Sequence, residues 1–139
     1  MGTRSLIIMR VQNRDGTYRI WCVIYQQFDG YVDGVGTRLI NFLSKVRMVN
    51  GIPMGKDTTN MANGAGCLFA QIITHFKAGV GGCYISIPDE EDLEEYNYYV
   101  DVSTDNNLSL IIKHHDEVLF SGVMEEALHF ISKGDEENE

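Results

Sequence analysis

Ser5-Leu6-Ile7-Ile8-Met9-Arg10-Val11-Gln12-Asn13-Arg14-Asp15-Gly16-Thr17-Tyr18-Arg19-Ile20-Trp21-Cys22-Val23-Ile24-Tyr25 is the stretch that decides the fold. Two apolar runs, rich in β-branched and aromatic side chains, flank Asn13-Arg14-Asp15-Gly16. An Asp-Gly pair accepts the positive φ angles of a tight hairpin turn, so residues 5–11 and 17–25 predict a β-hairpin. A chain that runs strand, turn, strand before its first helix does not open with a βαβ unit. An antiparallel sheet is therefore expected rather than a doubly wound parallel one.

Past residue 25 the chain reads Gln26-Gln27-Phe28-Asp29-Gly30-Tyr31-Val32-Asp33-Gly34-Val35-Gly36-Thr37-Arg38, a glycine-rich passage from strand into helix. Val35, Leu39, Phe42, Leu43, Val46 and Val49 recur at helical spacing and predict a helix over 35–49. Asp33 or Thr37 suits its start, and Asn50-Gly51-Ile52-Pro53 its stop. A polar loop over 50–63 leads to a second helix over 64–77. Leu68, Ile72, Ile73 and Phe76 are its expected buried stripe, and Gly79, Gly81 and Gly82 end it. A short strand over 83–87 and an acidic loop over 88–95 follow. Strands over 96–102 and 108–113 alternate apolar and polar residues around an Asp105-Asn106-Asn107 turn. His114-His115-Asp116-Glu117 reads as another turn, before a strand over 118–121 and a helix over 123–131. The expected order is ββααββββα. This is an α+β domain, with a mainly antiparallel sheet and two central helices packed on it, spanning 1–134 and followed by an acidic tail over 135–139.

A hydrophobic fraction of 44% and a charged fraction of 22% suit a single globular domain that buries its own core. No apolar run reaches the eighteen or so residues of a membrane span. The N-terminus lacks a signal-peptide stretch, and Leu6 stands where N-myristoylation wants Ser or Thr, so a cytoplasmic location is expected. Cys22, Cys67 and Cys83 are odd in number, have apolar neighbours and form no Cys-x-x-Cys pair; buried, reduced thiols are expected. The net charge of −9 is unevenly spread: residues 1–80 carry +5 and residues 81–139 carry −14. Whole-chain acidity excludes the basic face that long nucleic acid needs, while the basic half still suits a small anion.

Two strand-to-helix junctions carry the expected chemistry. At the first, Gly34 and Gly36 clear Cβ atoms from a helix start whose free N–H groups suit a phosphate or carboxylate. Arg38 adds a bidentate donor, Phe28 and Tyr31 offer stacking faces, and Asp29 accepts from a ribose hydroxyl or base edge. The same residues also serve plain turn chemistry. At the second junction Asn63, Gly64 and Gly66 open the next helix, with Asn60 or Asn63 alternatively a simple N-cap. The expectation is that both starts face one pocket, lined also by Lys56, Thr58 and Thr59.

The remaining candidates are weaker. Neighbouring His114 and His115, with Asp116 and Glu117, look superficially like a metal cluster, but adjacent turn residues direct their side chains apart. No helical His pair exists, and neither metal nor cofactor is expected. His75 and His129 read as helix packing residues. Tyr96, Tyr98 and Tyr99 read as sheet packing or an oligomer interface. No nucleophile elbow appears and no acid–base pair is assignable, so the chain is expected not to be an enzyme.

Met1-Gly2-Thr3-Arg4-Ser5-Leu6, Gln27-Phe28-Asp29-Gly30-Tyr31 with Gly34-Val35-Gly36, and Gly64-Ala65-Gly66-Cys67-Leu68 with Ala70-Gln71 and His75-Phe76-Lys77 together resemble a family of small, functionally uncharacterised proteins of bacteria, prophages and phages. The resemblance covers nearly the whole chain. Its first block there resembles Tyr-Arg-Gln-Phe-Asp-Gly-Tyr-Pro-x-Gly-x-Gly; here Gln26 stands where arginine is common and Val32 where proline is common. The family brings no activity with it. Its phage setting suggests, by analogy, the phage sponge proteins: oligomeric, non-enzymatic domains that sequester the nucleotide signals of antiphage systems. The expectation is a homo-oligomeric protein of the host cytoplasm that sequesters a small nucleotide-derived anion, such as a cyclic nucleotide. Its expected ligand contacts are Phe28, Asp29, Tyr31, Gly34, Gly36, Arg38, Asn63, Gly64 and Gly66. The alternatives are an acidic inhibitor or adaptor that binds a basic partner protein, and a hydrolase of the same ligands using His75 or the His114–His115 turn as base.

Overall fold

The computed structural model of the chain describes residues 2–87 and 93–137, the last four of these by backbone alone. Residues 88–92 of the expected acidic loop, with their carboxylates, and residues 138–139 of the expected tail lie outside the described part.

The expected hairpin forms from β1 (Ser5–Gln12) and β2 (Tyr18–Gln26). β1 is apolar on both faces because it becomes a central strand. Ile7 and Met9 point to one side and Leu6 and Ile8 to the other, and all four are buried. Beyond β2 a π-helical turn (Val32–Gly36) runs directly into α1 (Thr37–Ser44). Helix α1 ends earlier than expected. Residues 47–49 form β3 (Arg47–Val49), which pairs in parallel with β4 (Met61–Asn63). The pairing gives the backbone of the predicted loop its partners, and Met48 and Ala62 join the core.

Helix α2 (Gly64–Phe76) buries Leu68, Phe69, Ile72 and Phe76; Phe69 takes the place expected of Ile73, and Cys67 faces solvent instead of the core. Then come β5 (Cys83–Ser86), β6 (Tyr96–Val102), β7 (Leu108–His114), β8 (Glu117–Val123) and α3 (Met124–Glu137). The last helix runs through residues expected to be tail.

The α+β expectation holds. One six-stranded sheet has the order β5-β2-β1-β6-β7-β8, antiparallel throughout except where β1 and β6 run parallel. Helices α1, α2 and α3 cover one face through Leu39, Ile40, Leu43, Leu68, Ile72 and Ala127, packed on Ile7, Met9, Ile24, Tyr98, Val100, Leu110 and Ile112. The other face carries Leu6, Ile8, Val23 and Tyr99, flanked by an ion pair in which Arg10 donates to both Asp101 oxygens at 2.7 Å. No described helix is long and apolar enough to cross a membrane.

Register gathers the functional candidates at one end of the sheet. Cys83 lies beside Gln26, Gln26 beside Ser5, Ser5 beside Tyr96, and Tyr96 beside His114. The Gln27–Gly36 segment arches over this end.

Candidate functional site

The Phe28–Gly36 arch is held down by backbone and by one buried side chain. Gly30 N–H donates to the Thr3 carbonyl at 2.8 Å, and the Tyr98 hydroxyl donates to the Gly30 carbonyl at 2.7 Å. A Cβ on Gly30 would stand 2.8 Å from the Arg4 carbonyl carbon and the Ser5 Cβ. Burial drives the Tyr98 phenol well above its ordinary pKa, so it remains a hydrogen-bond donor. Asp29 turns the chain at φ 57°, a left-handed angle that Asp tolerates better than most side chains.

The glycines of this junction serve the arch itself. The Gly34 and Gly36 amides donate to the Tyr31 carbonyl at 3.0 and 3.4 Å, and Val35 N–H donates to the Asp29 carbonyl at 2.7 Å. A Cβ on Gly34 would collide with the Asp29 carbonyl oxygen; one on Gly36 would press on the Tyr98 ring at 3.1 Å. The expectation that these amides stand free for an anion is corrected: the π-helical turn consumes them. Tyr31 donates its hydroxyl to the Asp29 carboxylate at 3.1 Å, and that carboxylate pushes the phenol pKa upward. Tyr31 is therefore tied to Asp29 and does not stand beside it as an independent platform.

The two helix starts do not share a pocket. Helices α1 and α2 lie antiparallel. Arg38, in the first turn of α1, stacks its guanidinium 4.6 Å from the ring centre of Phe76 at the last turn of α2. One turn on, Phe42 stacks on His75 at 4.6 Å. Gly64 stands at the opposite end of α2, about 18 Å from Phe76 at 1.5 Å per residue. There Asn63 does not cap its helix; its Oδ1 accepts the Gly51 N–H at 2.8 Å. Gly64 takes φ 81° in open space, and Gly66 has the Trp21 ring at 3.9 Å from where its Cβ would be. Asn63, Gly64 and Gly66 therefore leave the site. The antiparallel arrangement shows in the pairing of Arg38 with Phe76 and of Phe42 with His75, and the helical periodicity of either segment does not encode it.

What remains is a compact cleft of ≈ 200 Å³ between the arch, α1 and the end of α2. Gln26, Phe28, Asp29, Gly34, Arg38 and Phe76 line it, with the Gly81–Gly82 turn behind. Phe28 is 56% exposed at its mouth. Arg38 has no carboxylate partner among the described residues. Lys77 donates its Nζ to the Cys83 and Gly81 carbonyls at 2.8 and 3.2 Å, adding a second cation at this edge. Gln26, missed as a site residue, is buried and donates its Nε2 to Cys83 Sγ at 3.1 Å. Its place at the strand end, next to the motif, is the signal that could have marked it. A larger open cleft of ≈ 710 Å³ lies at the far end of the sheet, but its lining balances Arg47 with Asp105 and holds none of the motif residues.

The tyrosine strand is resolved in favour of packing: Tyr98 and Tyr99 are buried within the chain. One reading of the histidines is overturned. His114 and His115 do not diverge; their ring centres are 4.5 Å apart, and His114 Nε2 lies 3.5 Å from Glu95 Oε1. Set against protein-family models, curated proteins and solved structures, the chain finds no match in any of the three.

Proposed function

We propose that this protein is a non-catalytic binder of a small nucleotide-derived anion, held at the Arg38 cleft. The observation that carries the reading is Arg38 itself: a guanidinium stacked on Phe76, without a carboxylate partner among the described residues, at the mouth of a cleft shared with Phe28 and Asp29. Stacking holds the planar fork in place, so fewer rotamers are lost when it grips a phosphate. Phe28 supplies an exposed ring for a base. Asp29, with Tyr31 donating to it, faces the polar edge of the ligand.

Size narrows the ligand class. Pockets that enclose a whole drug-sized ligand measure about 300–1,000 Å³. A cleft of ≈ 200 Å³ accommodates one phosphate-bearing moiety and leaves the remainder of the ligand outside, over Phe28. Self-association belongs to the same reading. Strand β5 is an edge of the sheet, and Tyr84 and Ile85 on it are exposed, which suits pairing with a second copy.

A competing role for Arg38 is to offset the partial negative charge at the C-terminus of α2. Calorimetry against mononucleotides, cyclic di- and trinucleotides and cyclic ADP-ribose isomers separates the two. Under the proposal, Arg38→Ala weakens the bound member by about 1.5–3 kcal/mol, the range of a charged hydrogen bond, with the thermal midpoint little changed. A lowered midpoint with unchanged heat of binding leaves Arg38 a helix-end cation. No heat with any member of the panel removes the proposal.

A further inference from the structure

We propose that Glu95, His114 and His115 form a binding site for one divalent transition-metal ion, zinc being the best match. Their ligand atoms (one carboxylate oxygen and one ring nitrogen from each histidine) all lie within 4.8 Å of one another.

The arrangement arises where two strands meet. Tyr96 opens β6 and His114 closes β7, directly opposite each other, with rings stacked at 4.5 Å and 28°. Glu95 and His115 are the next residues outward, and His115 N–H donates to the Glu95 carbonyl at 2.8 Å. Regular pleating would send His115 to the face opposite His114. It does not, because His115 takes φ 53°. That left-handed angle, unfavourable for a residue with a Cβ, brings its ring to 4.5 Å from His114 at 45°. A two-residue turn closing β7 onto β8 would accept glycine here without strain. The chain instead keeps a histidine in the strained position, beside a second histidine and a carboxylate.

The chemistry suits a borderline cation. Two imidazoles and one carboxylate are the donor set of open zinc sites, which leave a fourth position for water or an exogenous ligand. Ligand atoms about 2.0–2.1 Å from zinc stand about 3.3 Å apart in a tetrahedron. His114 Nε2 and Glu95 Oε1, at 3.5 Å, are already close to that spacing. The stacked Tyr96 ring fixes the plane of His114. Asp116 follows in the turn, Glu117 opens β8, and Asp33 acts electrostatically on Tyr96, so the surroundings favour a cation. Three strand spacings of about 4.8 Å separate Gln26 from His114, so the site stands about 14 Å from the Arg38 cleft and is independent of it.

The test uses tag-free protein stripped with EDTA and titrated with zinc by calorimetry and with cobalt(II) by visible absorption. One equivalent is expected to bind. Zinc should raise the thermal midpoint and EDTA should reverse the rise. His114→Ala, His115→Ala and Glu95→Gln should each lower affinity at least about tenfold, whereas His75→Ala and His129→Ala should leave it unchanged. His115→Gly separates a ligand from a turn residue. It should raise the thermal midpoint of the metal-free protein, because glycine accepts the left-handed angle, while lowering zinc affinity. Absence of saturable binding overturns the proposal, as does one-equivalent binding that survives His114→Ala and His115→Gly.

Discussion

Tyr98→Phe tests how the arch is held. The Tyr98 hydroxyl is buried and donates to the Gly30 carbonyl at 2.7 Å; Gly30 itself is buried against residues 4 and 5. Phenylalanine preserves the ring against Gly36 and removes the hydroxyl, which donates to Gly30 and also faces the Gly36 backbone N–H. The Gly30 carbonyl is then left in the interior without its Tyr98 partner, and an unsatisfied buried acceptor costs about 1–3 kcal/mol. Unfolding entropy near 60 °C is about 2.1 cal/mol/K per residue, or about 0.3 kcal/mol/K for a chain of this length. The expected fall in Tm is therefore about 3–10 °C. Differential scanning calorimetry reads it, with Tyr96→Phe as the control, since Tyr96 is only partly buried. Hydrogen exchange at residues 28–36 should quicken in Tyr98→Phe, because the arch loses the side-chain bond that ties its centre to β6. A fall of under 1 °C with unchanged exchange would refute the view that this hydroxyl pins the motif.

Two further expectations concern other parts of the molecule. Arg10→Met leaves the buried Asp101 carboxylate without its bidentate partner and should cost about 3 kcal/mol in urea unfolding. The double variant Arg10→Met/Asp101→Leu should recover most of that loss, and a double-variant loss equal to the sum of the Arg10→Met and Asp101→Leu losses would show that the pair is uncoupled. His75 has its pKa lowered, first by burial and then by the charge of Arg38. A depressed histidine binds fewer protons folded than unfolded, so its contribution to stability is complete above about pH 6.5 and is lost as pH falls below that. Denaturation midpoints of His75→Asn should show a shallower decline on the acid side than wild type; parallel curves would contradict the assignment.

The divide between sequence and tertiary structure is sharp at particular residues. Apolar runs rich in β-branched and aromatic residues and the Asp-Gly turn identify β1 and β2, because strand preference and turn dihedrals are local properties. Helical spacing likewise places α1 and α2 within a few residues. Two features of the fold were not legible. Parallel pairing of β1 with β6 joins Arg10 to Asp101 across 91 positions, and no local signal encodes a partner at that separation. The run to Val49 carried helical spacing, yet strand pairing with β4 captured residues 47–49, since a backbone ladder satisfies more groups than a lone final turn.

The candidate site divides in the same way. The Phe28-to-Arg38 motif was visible from composition, and Phe28, Asp29, Gly34 and Arg38 do line one cleft. The use of each glycine was not: whether Gly34 and Gly36 admit a ligand or a neighbouring carbonyl and ring depends on what packs beside them. Asn63, Gly64 and Gly66 were linked to Arg38 by composition and parted from it by the antiparallel packing of α1 and α2. Adjacent His114 and His115 look divergent as neighbours in a turn, and one left-handed φ at His115, set where the β6 and β7 ends meet, turns them toward Glu95. Sequence by itself determined the main strands and helices, though not β3 and β4, and most of the residues that prefer the interior. Only the tertiary structure decided which polar groups meet, because backbone direction and side-chain convergence come from contacts between segments far apart in the chain.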